Sequence, residues 1–184
     1  MVRNILIKFL PLVILYFLIF GVCAKNSLDY GDQSRYAMYA ENLTKGFYAP
    51  HDTLLLWNGP GYPLFLTLFA YFKIPWIYAK GLNPVFMFLA VCLLYAAIRN
   101  YTSERTALFF SYLFGLYPPF YAELPLLLTE PFILMLMTAF CLLAGNWLKT
   151  GSYRFMLAAA VICAYIALTK VFFGYVILAM LLLS

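Results

Sequence analysis

Apolar residues run along this chain in long stretches, with the polar residues gathered between them. The stretches are Phe9 to Cys23, Pro60 to Ile77, Leu82 to Ile98, Thr106 to Tyr121, Pro131 to Leu148, Phe155 to Thr169 and Val171 to Leu183. Such runs predict membrane-spanning helices, because a helix needs ~20 apolar residues to cross ~30 Å of hydrocarbon. Each run is near that length or somewhat short of it. The last stops at Ser184 with no flanking charge, as a chain cut inside a span would.

The second run is the weakest candidate for a crossing. It opens on the turn cluster Gly59-Pro60-Gly61-Tyr62-Pro63, and Lys73 and Pro75 interrupt it. Its status decides the side of every later loop, so the basic residues arbitrate. If it lies in the interface, the inner segments are 1–8, 99–105 and 149–154. They then hold Arg3, Lys8, Arg99, Arg105, Lys149 and Arg154 against Glu104 alone. The acids Asp29, Asp32, Glu41, Asp52, Glu123 and Glu130 fall outside, balanced by the remaining lysines and arginines. A full crossing would reverse this bias.

The expectation is therefore an all-α integral membrane fold with about six crossings, the last incomplete. The chain divides into a first span over 1–24, an outer loop with interfacial helices over 25–81 and the remaining spans over 82–184. The N-terminus would be cytoplasmic. Arg3 and Lys8 before a short apolar core, with Val22-Cys23-Ala24 behind it, would also suit a cleaved signal peptide. A multi-spanning chain usually keeps its first helix as an anchor, and retention is the expectation.

Composition narrows the class. Hydrophobic residues make up 66%, aromatic residues 20% and charged residues only 10%, against ~25% charged in an average soluble chain. An ordinary soluble domain, a disordered chain and a secreted disulfide scaffold are excluded. The net charge of +5 is not clustered, so no nucleic-acid partner is expected. Cys23, Cys92, Cys141 and Cys163 sit inside apolar runs without metal-ligand spacing, as small lipid- or core-facing residues.

The outer loop carries the candidate chemistry. Tyr36, Tyr39, Ala40, Leu43 and Phe47 recur at helical spacing with Arg35, Glu41, Asn42 and Lys45 between them. This predicts an amphipathic helix on the membrane surface, closed by Gly46. Asp32 at its start reads as an N-cap, or as a carboxylate held at the lipid–water boundary to take a proton from a hydroxyl or amine. Glu130, beside Pro131, reads as a favourable acid in a first helical turn, and Lys170 as a snorkelling lysine. All three fall on one predicted side. That grouping suits an anionic lipid headgroup, with or without a bridging divalent ion. His51 beside Asp52 reads as a solvated loop histidine. Trp57 and Trp76 suit an interfacial belt. Asn42-Leu43-Thr44 forms a glycosylation sequon, relevant only on a eukaryotic secretory route.

Taken in order, Asp32-x-x-Arg35-Tyr36-Ala37, Gly59-Pro60-Gly61-Tyr62-Pro63-Leu64, Thr129-Glu130-Pro131-Phe132 and Thr169-Lys170 form an informative set. This set resembles the polyprenyl-phosphate-sugar-dependent glycosyltransferases of the GT-C fold, in the branch of protein O-mannosyltransferases and lipid A aminoarabinose transferases. The resemblance implies a bacterial or archaeal plasma membrane, an active site on the outer face and a polyprenyl-phosphate sugar as donor. It implies Asp32 as the catalytic base, with Arg35, Glu130 and Lys170 near the donor phosphate. It further implies that Asp32 and Glu130 could share a Mg or Mn ion. Protein glycosylation or lipopolysaccharide modification would be the outcome. Two departures stand out. The aminoarabinose branch has Lys-Pro where this chain has Gly59-Pro60, and family members are several times longer, so an N-terminal half is expected. The rival readings are a transporter or flippase fragment and a catalytically incomplete lipid-binding remnant.

Overall fold

The computed structural model describes residues 2–28, 31–49 and 58–183, and every regular element among them is a helix. In chain order these are α1 (Val2–Lys8), α2 (Leu10–Cys23), α3 (Asp32–Leu43), α4 (Gly61–Tyr71), α5 (Trp76–Lys80), α6 (Asn83–Arg99), α7 (Glu104–Gly115), α8 (Pro119–Glu123), α9 (Glu130–Thr150), α10 (Tyr153–Thr169) and α11 (Val171–Leu183). The all-α expectation holds. Two segments are long and apolar enough to cross a membrane, Trp76–Arg99 with 24 residues and Glu130–Thr150 with 21.

The helix ends follow local chemistry. The Pro60–Ile77 run yields the 11-residue α4, about 16 Å long at the standard rise and hence about half the hydrocarbon thickness. The chain then turns at Lys73, whose φ is 53°, and at Pro75, the two residues expected to break it. The Thr106–Tyr121 run does not form one continuous helix. Its 12-residue α7 stops at Gly115, and the α8 turn begins beyond Pro118, which disfavours helical backbone in the residue before it. Ser103 caps α7 by accepting the Thr106 N–H at 3.2 Å. Gly151 ends α9 in the left-handed region at φ 66°, donating its N–H to Trp147 O at 2.8 Å.

The central helix α9 packs between α6 and α10; α6 also meets α2 and α7, while α4 bridges α3 and α10. One core joins Phe9, Leu12, Tyr16, Met87 and Val91 beneath α2. The other joins Tyr36, Tyr62, Leu66, Phe86, Phe132 and Ile166 beneath α3 and α4. Outward, α2 exposes Leu10, Ile14, Phe17 and Leu18, and α7 exposes Phe109, Phe110 and Leu113. Contiguous apolar surface of this kind marks contact with lipid or protein rather than water. Cys92 is buried, Cys163 half-buried, and Cys23 and Cys141 exposed; none of the four is in a disulfide.

Candidate functional site

The α3 helix does not use Asp32 as its N-cap. Gly31 takes that position with φ 103°, a conformation glycine tolerates, and no side chain caps the end. Asp32 is the first helical residue, and its carboxylate pairs with Arg35 one turn on. The side of α3 carrying Tyr36, Ala37, Tyr39 and Ala40 is buried, packed mainly against α4. The apolar face expected on the membrane surface is thus largely covered by protein.

Two buried amides hold the loop that precedes α9, one from this helix and one from the start of α6. Gln33 Oε1 accepts the Leu127 N–H at 2.9 Å. Asn83, fully buried at the start of α6, donates to Leu124 O at 3.2 Å and to Leu126 O at 2.6 Å. A buried backbone group without a partner costs about 1–3 kcal/mol, so these contacts fix the course of residues 124–127. That course delivers Thr129 and Glu130 next to α3. A third anchor is Lys80, 1% exposed, whose ammonium donates to Lys25 O at 3.0 Å and Ser27 O at 2.8 Å, binding the segment after α2.

The Gly59-Pro60-Gly61 turn and the Thr169-Lys170 pair meet. A Cβ on Gly61 would lie 2.8 Å from Thr169 N and 2.9 Å from its Cα, and one on Gly59 would collide with the Leu168 carbonyl. Tyr165 donates to Gly61 O at 2.8 Å across the same junction. Glycine is required here by close backbone approach, which holds the end of α10 in place and with it Lys170.

The result is a cluster drawn from three segments, α3, the start of α9 and the end of α10. Lys170 Nζ lies 2.8 Å from Glu130 Oε1. Asp32 and Glu130 both lie close enough to act electrostatically on Lys170 and on the Tyr36 phenol, beside which sits Thr129. Burial works to lower the Lys170 pKa, but the hydrogen bond and charge of Glu130 outweigh it, and the ammonium holds its proton above the ordinary lysine range. Burial pushes the Tyr36 phenol up. Asp32, Arg35, Glu130 and Lys170, the residues singled out from the sequence, are therefore brought together. The lysine is ion-paired with Glu130.

Glu123 belongs to the same neighbourhood, and sequence reasoning assigned it no role. Burial, then the charge of Glu130, raises its carboxyl above the usual carboxylate range, and its Oε2 is buried with no hydrogen-bond partner. A cavity of about 340 Å³ opens here, where Phe120, Ile133, Leu134 and Phe173 line one side and Glu123, Glu130 and Lys170 the other. The only signal in the sequence was an acid next to a proline-rich turn. His51, Asp52, Trp57 and Asp29 lie outside the described residues.

Asp32 already holds Arg35 and Glu130 already holds Lys170. Among the described residues no three His, Cys, Asp or Glu side chains converge in a metal-binding group. Each of the two acids therefore faces a cation of the chain itself. Comparison with protein families, curated proteins and solved structures finds no match to this chain.

Proposed function

We propose that this chain belongs to a multi-spanning membrane glycosyltransferase of the GT-C type that uses a polyprenyl-phosphate sugar. The observation that carries the reading is the convergence of the Asp32–Arg35 pair of α3 with Glu130 and Lys170, the last two lining a largely apolar cavity. The ordered motifs that resemble this family are the ones meeting there. An anionic lipid with a sugar on its phosphate needs cations for the phosphate, an apolar channel for the first isoprenyl units and a base for the acceptor. Lys170 and Arg35 supply the charge. Phe120, Leu134 and Phe173 line the apolar side.

In this reading Asp32 accepts the proton of an acceptor hydroxyl or amine. The acceptor oxygen or nitrogen bonds to the anomeric carbon as the bond from that carbon to the phosphate oxygen breaks, with inversion. Polyprenyl phosphate leaves with the electron pair, its charge held by Lys170. Glu130 acts through Lys170, as a positioning residue. About six crossings and an outward-facing site complete the reading, following the distribution of basic residues. A transporter would place its ionisable groups mid-span on broken helices, whereas Glu130 and Lys170 stand at helix ends.

The test is sugar transfer in membranes carrying the whole native gene product, supplied with polyprenyl-phosphate sugar. Asp32→Asn is expected to reduce turnover at least ~100-fold, the scale of general-base loss, while donor binding persists. Turnover close to wild type in that variant refutes the assignment.

A further inference from the structure

A second cavity lies at the opposite end of the bundle. Its volume is about 580 Å³, and it opens among α1, α6, the start of α7 and the last third of α9. Glu130 and Asn146 stand on the same helix, about 24 Å apart at the helical rise, so this cavity is separate from the first site. Its polar side holds Lys8, Arg99, Asn100, Glu104 and Asn146. Its apolar side holds Ile5, Ala96 and Leu142.

The charges do not cancel. Lys8 is ion-paired with Glu104, donates to Tyr95 OH at 3.2 Å and sits 5.3 Å from the centre of that ring. Arg99 acts on Glu104 through its charge alone, so Lys8 and Arg99 against the single acid Glu104 leave one positive charge in excess among the lining residues, and Arg99 donates to Thr102 O at 3.0 Å from a guanidinium that carries five N–H groups. Lys149 stands beside the rim, reaching Asn100 O at 3.3 Å. Asn100 donates to Asn146 Oδ1 at 2.7 Å and so fixes α6 against α9 across the floor. On α1, Leu6 and Ile7, which lie in sequence between the lining residues Ile5 and Lys8, are apolar and exposed. A basic, amide-lined cavity walled in part by a helix that also exposes apolar side chains matches a molecule that is anionic at one end and hydrocarbon at the other.

We infer that this cavity binds the phosphate-bearing headgroup of an anionic phospholipid, in the leaflet surrounding this end of the bundle. Basic pockets between membrane helices take such headgroups through charge-assisted hydrogen bonds. Arg99 and Lys8 hold the phosphate, the Asn100–Asn146 pair contacts the headgroup, and the acyl chains leave over Leu6 and Ile7. The inference requires a membrane protein but not the transferase chemistry, so loss of activity in an Asp32 variant has no bearing on it.

The experiment uses the whole chain purified in uncharged detergent, with phosphatidylglycerol titrated and bound lipid counted by native mass spectrometry. Phosphatidylcholine and inorganic phosphate are run in parallel. Arg99→Gln removes the unmatched charge at an exposed position, and Ala96→Phe fills the cavity while leaving every charge in place. Each is expected to weaken phosphatidylglycerol binding about tenfold, the scale of one charge-assisted hydrogen bond. Arg154→Gln, an exposed cation at the same end but outside the cavity, is expected to leave binding unchanged. Helical content and Tm of the lipid-free variants confirm folding, and the exposed Arg99 keeps the test open if Ala96→Phe does not fold. Wild-type binding in Arg99→Gln overturns the inference. So does an equal loss in Arg154→Gln, or equal binding of phosphatidylcholine. Displacement by inorganic phosphate at matched concentration would make the ligand a soluble anion and overturn the lipid assignment.

Discussion

Gln33 and Leu127, 94 positions apart, share one hydrogen bond: the Gln33 side-chain oxygen accepts the Leu127 N–H at 2.9 Å. Both are buried, and this bond directly links the helix that begins with Asp32 to the loop that ends at Glu130. Gln33→Leu leaves the Leu127 N–H unpartnered and is expected to destabilise the protein by about 1–3 kcal/mol. Denaturant or thermal unfolding in detergent measures it. Gln33→Glu keeps an acceptor and is expected to lose less; equal loss in both would show that the bond does not set the loop.

Lys170 and Asp32 are expected to fail in different ways. Lys170→Met removes a phosphate contact, so donor KM should rise about tenfold or more with kcat less affected. Asp32→Asn should lower kcat and leave KM near wild type. Steady-state kinetics with a fixed acceptor separate them. A matching drop in kcat for both variants, with KM unmoved, would speak against Lys170 as a phosphate ligand.

Gly61 touches the backbone of Thr169 too closely for any side chain. Gly61→Ala is expected to cost about 1–3 kcal/mol, the range for overpacking a tight contact, and to displace Lys170. Tm reports the first effect. Donor affinity reports the second, and unchanged affinity with a lowered Tm would confine the role of this turn to stability.

Glu123 provides a pH signature. Its folded carboxyl binds protons more tightly than the unfolded one because burial, and then Glu130, disfavour the charge. Stability associated with this group is therefore greatest at low pH and falls as pH rises through the ordinary and then the raised carboxylate range. Glu123→Gln should leave Tm nearly unchanged at pH ~4 and raise it relative to wild type at pH ~8. A Tm difference that stays flat across that interval would show that Glu123 is not strained by ionisation.

The Glu130–Lys170 ion pair is half exposed, with side-chain exposures of 40% and 34%, so it contributes little to stability by itself. Its value lies in position. Neither partner could be assigned to the other from the sequence, where Glu130 reads as a helix-start acid and Lys170 as a snorkelling lysine. Each reading is locally sound, since Glu130 does open α9 and Lys170 does follow α10.

What the sequence determined by itself is the helical class, the approximate course of the apolar helices and the break at Lys73 and Pro75, whereas the break at Pro118 inside the Thr106–Tyr121 run emerged only in the fold. Runs of apolar residues, prolines and glycines act over a few residues, and their physics is local. The charge distribution gave a reason to consider Asp32, Glu130 and Lys170 together, and the fold brings them near one another. Only the tertiary structure decided that Asp32 pairs with Arg35 instead of capping, that α3 buries its apolar side against protein, and that Glu123 and the Arg99 cavity exist. Those depend on which backbone groups Gln33, Asn83 and Lys80 reach across tens of residues. A buried amide or ammonium must find a partner wherever the packed helices supply one, and a linear sequence does not record that distance.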